Sequence, residues 1–390
     1  MDTSKKTGTL ATHDNSAIRI EAITNDKQLD EFIAAPWPLY KNDTNWIAPL
    51  IFEQKQRFSP QKNPFFEHAR WQAWVARRGD QVVGRISAQI DQLHLDHYQD
   101  NTGYFGLIEA EDNAATFASL FETAENWLRD NGITRVRGPY NLSSNEECGL
   151  LVDGFQTPPF IMMGHARPYY GSCIEAAGYH KAKDLLAYTI RSDFEAPKVM
   201  LRLAEKARAK VKLRSLRRQH VKEDLEILRD IFNDAWSNNW GFVPFTEAEF
   251  ADAGELLTKL ADDDFMQIAE IDGRPVAMVF AMPNINEVIR DLNGRLLPFG
   301  WAKLLWRLKV RYPRSARVPL LGVRKEYHHL RLGPTLAFLV TDAVRDALAR
   351  RGITKVELSW ILEDNDGMRN IIETIGGEAY KRYRIYEKDL

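Results

Sequence analysis

Two pairs of carboxylates and one basic, glycine-punctuated loop are the groups in this sequence best suited to chemistry. Glu363 and Asp364 end an alternating apolar run, with Asn365 beside them, while Glu146 and Glu147 follow Asn141, Ser144 and Asn145 in a polar stretch. An alkylamine is mostly charged at neutral pH, and a carboxylate can take its proton directly or through water. The loop is Leu320-Leu-Gly-Val-Arg-Lys-Glu-Tyr-His-His-Leu-Arg-Leu-Gly-Pro-Thr335, which opens a helical pattern. Backbone N–H groups at the start of a helix, with the helix dipole behind them, hold a pyrophosphate. Pro334 suits the first turn, where its missing N–H has no partner to lose.

Other residues are less pointed. Trp236, Asn239 and Trp240 lie in Ala235-Trp-Ser-Asn-Asn-Trp-Gly241. Aromatic packing accounts for Trp236, whereas packing explains adjacent Asn238 and Asn239 poorly. His94 and His97 would share one helical face, but no further ligand accompanies them and no metal is expected. Cys148 and Cys173 are the two cysteines, without metal-like spacing, which fits a reducing cytoplasm. The formal net charge of -2 gives no reason to expect nucleic acid as a partner. The N-terminus is too polar for a signal peptide, and no apolar run reaches the roughly 18 residues of a spanning helix.

The elements that must position these groups occur twice. Ala124-Glu-Asn-Trp-Leu-Arg-Asp-Asn-Gly-Ile-Thr-Arg-Val136 is answered by Val344-Arg-Asp-Ala-Leu-Ala-Arg-Arg-Gly-Ile-Thr-Lys-Val356, a helix stopped by glycine and followed at once by a strand. The first strand (Ile18, Val211), the hairpin turn (Gly79-Asp80, Asp272-Gly273) and the final glycine (Gly178, Gly376) recur in the same order. Each copy predicts a strand, a helix (27 to 35 and 222 to 236), a hairpin (71 to 91 and 266 to 282), a strand, a long helix (114 to 130 and 334 to 350) and two closing strands. This is a mixed α/β sheet built twice, over 1–195 and 196–390. A basic, partly apolar segment, 198 to 218, predicts a joining helix with a solvated face.

The offset between the copies changes at two insertions. The first copy adds residues near 138 to 160, which include Asn141, Ser144, Asn145, Glu146 and Glu147. They form either a long turn that satisfies its own backbone or a loop facing a substrate. The second adds residues near 284 to 313. From Leu296 to Leu308 these predict a short apolar helix carrying Trp301, Leu304, Leu305 and Trp306, with Lys303, Arg307 and Lys309 along it. It is either a packing helix or a surface for an acyl chain or a membrane lipid.

The element order, with the loop 320–335, resembles the GNAT-like N-acyltransferase fold, so the expected class is α/β with two tandem GNAT-like mixed-sheet domains. The resemblance implies acyl-CoA as co-substrate, held by Leu321, Gly322, Val323, His328, Arg331, Gly333, Pro334, Thr335 and Asn365. It implies an amine acceptor near Asn141, Ser144, Asn145, Trp236, Asn239 and Trp240, with Trp301 and Leu305 on any lipid chain. The base is expected at Glu363 or Asp364, or at Glu146 or Glu147 reaching over from the first copy. The chain departs from the family at Arg331, where a glycine belongs, and at Ile372, where a general-acid tyrosine is common; the first copy has no visible pyrophosphate loop. As a whole the chain is also similar to bacterial GNAT-like proteins that include bacterial ceramide synthases, which would make the acceptor a sphingoid base. A non-catalytic acyl-CoA-binding module, and N-acetyl transfer to a small amine or peptide N-terminus, stay open as alternatives. The protein is expected in the cytoplasm, with peripheral contact at the inner membrane face through 296–309.

Overall fold

The computed structural model describes residues 17–390, and the side chains of all of these except Leu256 and Leu257. The segment whose polarity argues against a signal peptide lies outside the described residues. The strands in chain order are β1 (Ile18–Ala22), β2 (Ala69–Arg78), β3 (Gln81–Asp91), β4 (Thr102–Ala110), β5 (Arg135–Gly138), β6 (Tyr140–Asn141), β7 (Glu147–Cys148), β8 (Leu150–Asp153), β9 (His180–Arg191), β10 (Val211–Ser215), β11 (Met266–Ile271), β12 (Arg274–Pro283), β13 (Ser315–Val323), β14 (Lys355–Leu362) and β15 (Glu378–Asp389).

All but β6 and β7 belong to one 13-stranded sheet, in the order β1-β2-β3-β4-β5-β15-β9-β14-β13-β12-β11-β10, with β8 beside β15. The two copies therefore interlock. Strand β9, which closes the first copy in sequence, lies against β14 of the second, and the C-terminal β15 lies against β5 of the first. The two exchanged strands pair with each other at the centre. Packing follows the exchange: Tyr383, Ile385 and Tyr386 of β15 join the first copy's core, and Ile190 of β9 joins the second's.

In both copies the middle of the sheet repeats one motif. Strand β4 runs parallel to β5 through Thr102–Tyr104, and β13 runs parallel to β14 through Ser315–Val318. Beyond those residues each pair parts. Long helices, Ala114–Asp130 and Leu332–Arg350, follow β4 and β13 and pack on the sheet with buried stripes such as Phe117, Leu120, Phe121 and Leu336, Leu339, Val340. Asn113 starts the first helix by accepting from the N–H groups of Ala115 and Thr116. Among the described residues, no helix is long and apolar enough to cross a membrane, and no group of three or more His, Cys, Asp or Glu is placed to hold a metal ion. His94 is buried, with Nε2 2.9 Å from the Asp100 carboxylate.

Candidate active site

Where strands part inside a sheet, backbone N–H and C=O groups lose their partners, and something else must meet them. In the first copy the chain itself does. Its insertion turns back through Tyr140–Asn141 and enters the gap beside β4. The Asn141 side chain accepts from the Leu107 N–H (2.8 Å), and Gln89 donates to the carbonyls of Tyr140 (2.6 Å) and Leu142 (3.1 Å). Contact is so close that a Cβ on Gly106 would lie 1.8 Å from the Tyr140 carbonyl oxygen. The gap is filled.

In the second copy no described segment fills the gap. The gap between β13 and β14 opens into a cavity of about 610 Å³, lined by Val318, Pro319, Leu320, Leu321, Gly322 and Val323 on one strand and Leu358 to Leu362 on the other. That volume is in the range of roughly 300–1,000 Å³ typical of ligand sites. At one end lies the expected pyrophosphate loop. His328, Gly333 and Pro334 line the cavity, and the His328 Nε2–H donates to the Val323 carbonyl at 2.6 Å. Gly333 is required there, since a Cβ would sit 2.3 Å from the Tyr327 carbonyl oxygen. Arg331 is exposed at the start of the helix Leu332–Arg350, and Thr335 turns its hydroxyl onto the Arg331 carbonyl; neither lines the cavity. The loop thus fits an anion with helix N–H groups and a nearby guanidinium. Asn365 lines the cavity while its side chain caps the helix Asp366–Thr374 through the Met368 N–H. Ile372 lines it too, at the position where the family often has tyrosine.

The opposing polar wall comes from the first copy. Tyr140, Ser144, Asn145, Glu146 and Cys148 line the same cavity, brought there because their insertion is anchored in its own gap. Asn145 bonds across to the Val243 carbonyl, and the Ser144 hydroxyl is buried without a partner. Glu146 is held by Arg57, whose Nε donates to Oε2 at 2.7 Å while its Nη2 holds the Asn141 carbonyl at 2.6 Å. Burial raises the Glu146 carboxyl to about 7, although Arg57 pulls the other way. It is a carboxylate poised to exchange a proton near neutrality. Burial pushes the Cys148 thiol up to about 12, so it supplies no thiolate nucleophile at neutral pH.

Trp236, Asn239 and Trp240 form part of the cover. Trp236 Nε1 donates to the Leu321 carbonyl (3.1 Å), and Trp240 lies under the first copy's Arg137 and Lys183.

Several expected residues stand elsewhere. Glu363 and Asp364 do not line the cavity: Lys181 and Lys183, on the exchanged strand β9, neutralise them at 2.6 and 2.9 Å. Asn141 and Glu147 are also outside it, bonded to each other at 3.0 Å within the plug. Trp301 and Leu305 lie on the exposed side of the helix Gly300–Val310, since Leu304 and Leu308 are the residues it turns toward the small core of Val288, Ile289 and Leu292. Sequence reasoning had no view of Arg57, which is distant in the chain, nor of Tyr140. Gly254 also lines the cavity, and a glycine inside the helix Glu247–Leu260 is the signal that marks it.

No protein-family model matches the chain. It is 52% identical over 372 residues to Protein YghO of Escherichia coli (strain K12), covering 95% of each chain. It is 45% identical over 378 residues to Bacterial ceramide synthase of Caulobacter vibrioides (strain NA1000 / CB15N), covering 96% of this chain and 98% of the relative. Among solved structures it resembles a tandem GNAT protein from the clavulanic acid biosynthesis pathway, with a TM-score of 0.56 at 13% identity and coverage of 96% and 98%. It also resembles the GCN5-related glucosamine N-acetyltransferase region of a fungal multi-domain GH3 beta-N-acetylglucosaminidase, with a TM-score of 0.58 at 15% identity, covering 96% of this chain and 38% of that one. With this fold over nearly its whole length and these relatives, the chain belongs to the tandem GNAT-like N-acyltransferases, in one family with YghO and the Caulobacter ceramide synthase.

Proposed function

We propose that the protein transfers a long acyl group from a CoA thioester to the amine of a sphingoid base, with Glu146 as the general base. The observation that carries this reading is Glu146 itself: a carboxylate with its proton affinity raised to about 7, lining an otherwise largely apolar cavity at the parting of two strands. The name of the Caulobacter relative, Bacterial ceramide synthase, supports a ceramide-type product. The apolar wall suits aliphatic chains better than it suits a small polar amine.

In this mechanism the thioester lies along β13, its pyrophosphate at the start of the helix Leu332–Arg350. Glu146 takes a proton from the ammonium group, and the freed amine attacks the carbonyl carbon. The oxyanion is met by a backbone N–H of β13 that β14 no longer engages beyond Val318. The C–N bond forms, Glu146, its first proton released to solvent, takes the second proton from the attacking nitrogen, the C–S bond breaks, and the thiolate leaves with that second proton. A thiolate is a fair leaving group, so Ile372 in place of tyrosine is no obstacle.

A peripheral membrane contact belongs to the same reading. Leu297 (79% exposed), Phe299 (78%), Trp301, Leu305, Trp306 and Val310 form an exposed apolar patch flanked by Lys309 and Arg311. Such a face suits the boundary of an anionic lipid surface, where the acceptor resides.

The test is to supply acetyl-, octanoyl- and palmitoyl-CoA, each with and without sphinganine, and to follow free thiol together with lipid products by mass spectrometry. The expected result is thiol release that needs both the long acyl chain and the lipid amine. Equal release from acetyl-CoA with a small water-soluble amine would overturn the lipid assignment.

A further inference from the structure

The cavity extends well past the point where thioester and amine would meet. From the cleft it continues beneath the helix pair Val221–Trp236 and Glu247–Leu260, where Leu225, Leu228, Phe232, Phe250, Ala253 and Gly254 form its wall. Met266 of β11 and Phe280 of β12 complete it. All eight are apolar or lack a side chain, and Leu228, Met266 and Phe280 are only 1% exposed, being part of the second copy's core. Protein interiors are close-packed, and a void inside one forfeits contacts on every side. An apolar hollow of this kind stays dry and takes an apolar guest.

Gly254 is what keeps the hollow open. It lies inside a helix, where glycine is unfavourable by about 1 kcal/mol against alanine. Its φ is not positive, so no backbone geometry calls for glycine. What excludes a side chain is Leu225, whose Cδ1 and Cδ2 would lie 2.6 and 2.7 Å from a Cβ at this position. Leu225 also lines the hollow, so a larger residue at 254 would press it into that space.

Resting on the reading above, we propose that this blind branch receives the acyl chain of the thioester, and that Gly254, acting through Leu225, sets the longest chain accepted. The branch is built wholly by the second copy, which also carries the thioester cleft. The base and the polar groups suited to the amine come from the first copy. Gly322 of β13 lines the same cavity and packs against the helix Val221–Trp236, where a Cβ would meet Ile231 and Ala235 at 3.2 and 3.5 Å.

The experiment measures binding and transfer separately. Non-transferable thioether analogues of acyl-CoA, from octanoyl to palmitoyl, are titrated calorimetrically into the full-length protein, Gly254→Leu, Ala253→Phe and Leu225→Ala. In the unmodified protein affinity should rise about fourfold per added methylene that finds room. Gly254→Leu or Ala253→Phe should stop that rise early, weakening the palmitoyl analogue at least tenfold and leaving the octanoyl analogue unchanged. Leu225→Ala should move the limit the other way, toward longer chains. A palmitoyl preference that survives Gly254→Leu and Ala253→Phe, or equal loss for both analogues, would overturn the proposal. Transfer with natural thioesters is scored beside it: a length limit that moves without any amide product refutes the transferase mechanism but leaves the branch as the acyl site.

Discussion

The two copies part their central strands in the same way and do opposite things with the gap. In the first, the gap beside β4 is closed by the copy's own insertion, down to a Gly106 that tolerates no Cβ. In the second, the gap between β13 and β14 is left open by the described residues, and its insertion, 284–313, packs elsewhere around Val288, Ile289 and Leu292. The contrast explains how a duplicated fold becomes one site. Plugging the first gap fixes residues 140 to 148 in place, and that rigid segment then presents Glu146 to the neighbouring open gap. One copy closes its own gap, and the segment that closes it becomes part of the wall of the other's cavity.

The sharpest way to break this division of labour is Glu146→Gln. It keeps the shape and removes the carboxylate proposed as base, and loss of general-base catalysis is worth about 10² to 10⁴ in rate. We expect kcat to fall by that factor while thioester affinity and the unfolding midpoint hold. In the unmodified protein kcat/KM should decline below pH 7, because protonation of a carboxyl raised to about 7 removes the base. That limb should be absent from the variant. A full rate in Glu146→Gln would assign the proton to another group.

Next is the plug itself. Gly106→Ala puts a methyl on a backbone carbonyl that cannot turn aside, whereas Gly322→Ala, on the corresponding strand of the open copy, meets side-chain ends of Ile231 and Met278 at 3.2 and 3.3 Å. Overpacking of the first kind costs about 1–3 kcal/mol. Denaturant unfolding should show that loss for Gly106→Ala and less than about 1 kcal/mol for Gly322→Ala. Activity should fall with Gly106→Ala as well, since Glu146 rides on the displaced segment.

The copies were legible in the sequence because the glycine-terminated helices and the hairpins repeat in order, and the helix Ala114–Asp130 matches its expected bounds. The exchange of β9 and β15 was not. A closing strand shows the same alternation whichever copy it joins, and register is decided by neighbours distant in the chain. The exchange also decides what faces two of the carboxylates expected as base. Glu363 and Asp364 read as free carboxylates at a strand end until β9 is seen to bring Lys181 and Lys183 against them. Ser144, Asn145, Glu146, Trp236 and Trp240 line the cavity; in the sequence the first three stand out as polar residues crowded into a loop, and the two tryptophans as aromatics at and just beyond the end of the helix Val221–Trp236.

A third, smaller effect comes from Arg57. It lowers the proton affinity that burial raises in Glu146 and holds the Asn141 carbonyl of the plug. Arg57→Gln removes the charge, so the Glu146 carboxyl should rise further and the acid limb of the pH profile should move above 7 by about one unit, roughly a fivefold loss at pH 7. Recovery of the rate at higher pH separates this tuning role from simple loosening of the plug, which alkali would not repair.

The smallest effect belongs to the second insertion, and it tests whether the contrast between the copies extends to their surroundings. The first insertion contributes Ser144, Asn145, Glu146 and Cys148 to the cavity lining; the second exposes Trp301 (51%) and Trp306 (52%) and contributes no lining residue. If its task is to seat the protein on lipid, Trp301→Ser combined with Trp306→Ser should weaken binding to anionic vesicles about fivefold, the scale of partly buried aromatic surface. Turnover of a short-chain acceptor supplied free in water should stay unchanged, because nothing in the cleft has moved. Turnover of a long-chain base embedded in the vesicle should fall in step with binding. A drop with the soluble acceptor as well would mean that the helix shapes the cleft from outside, and the two insertions would then share one function.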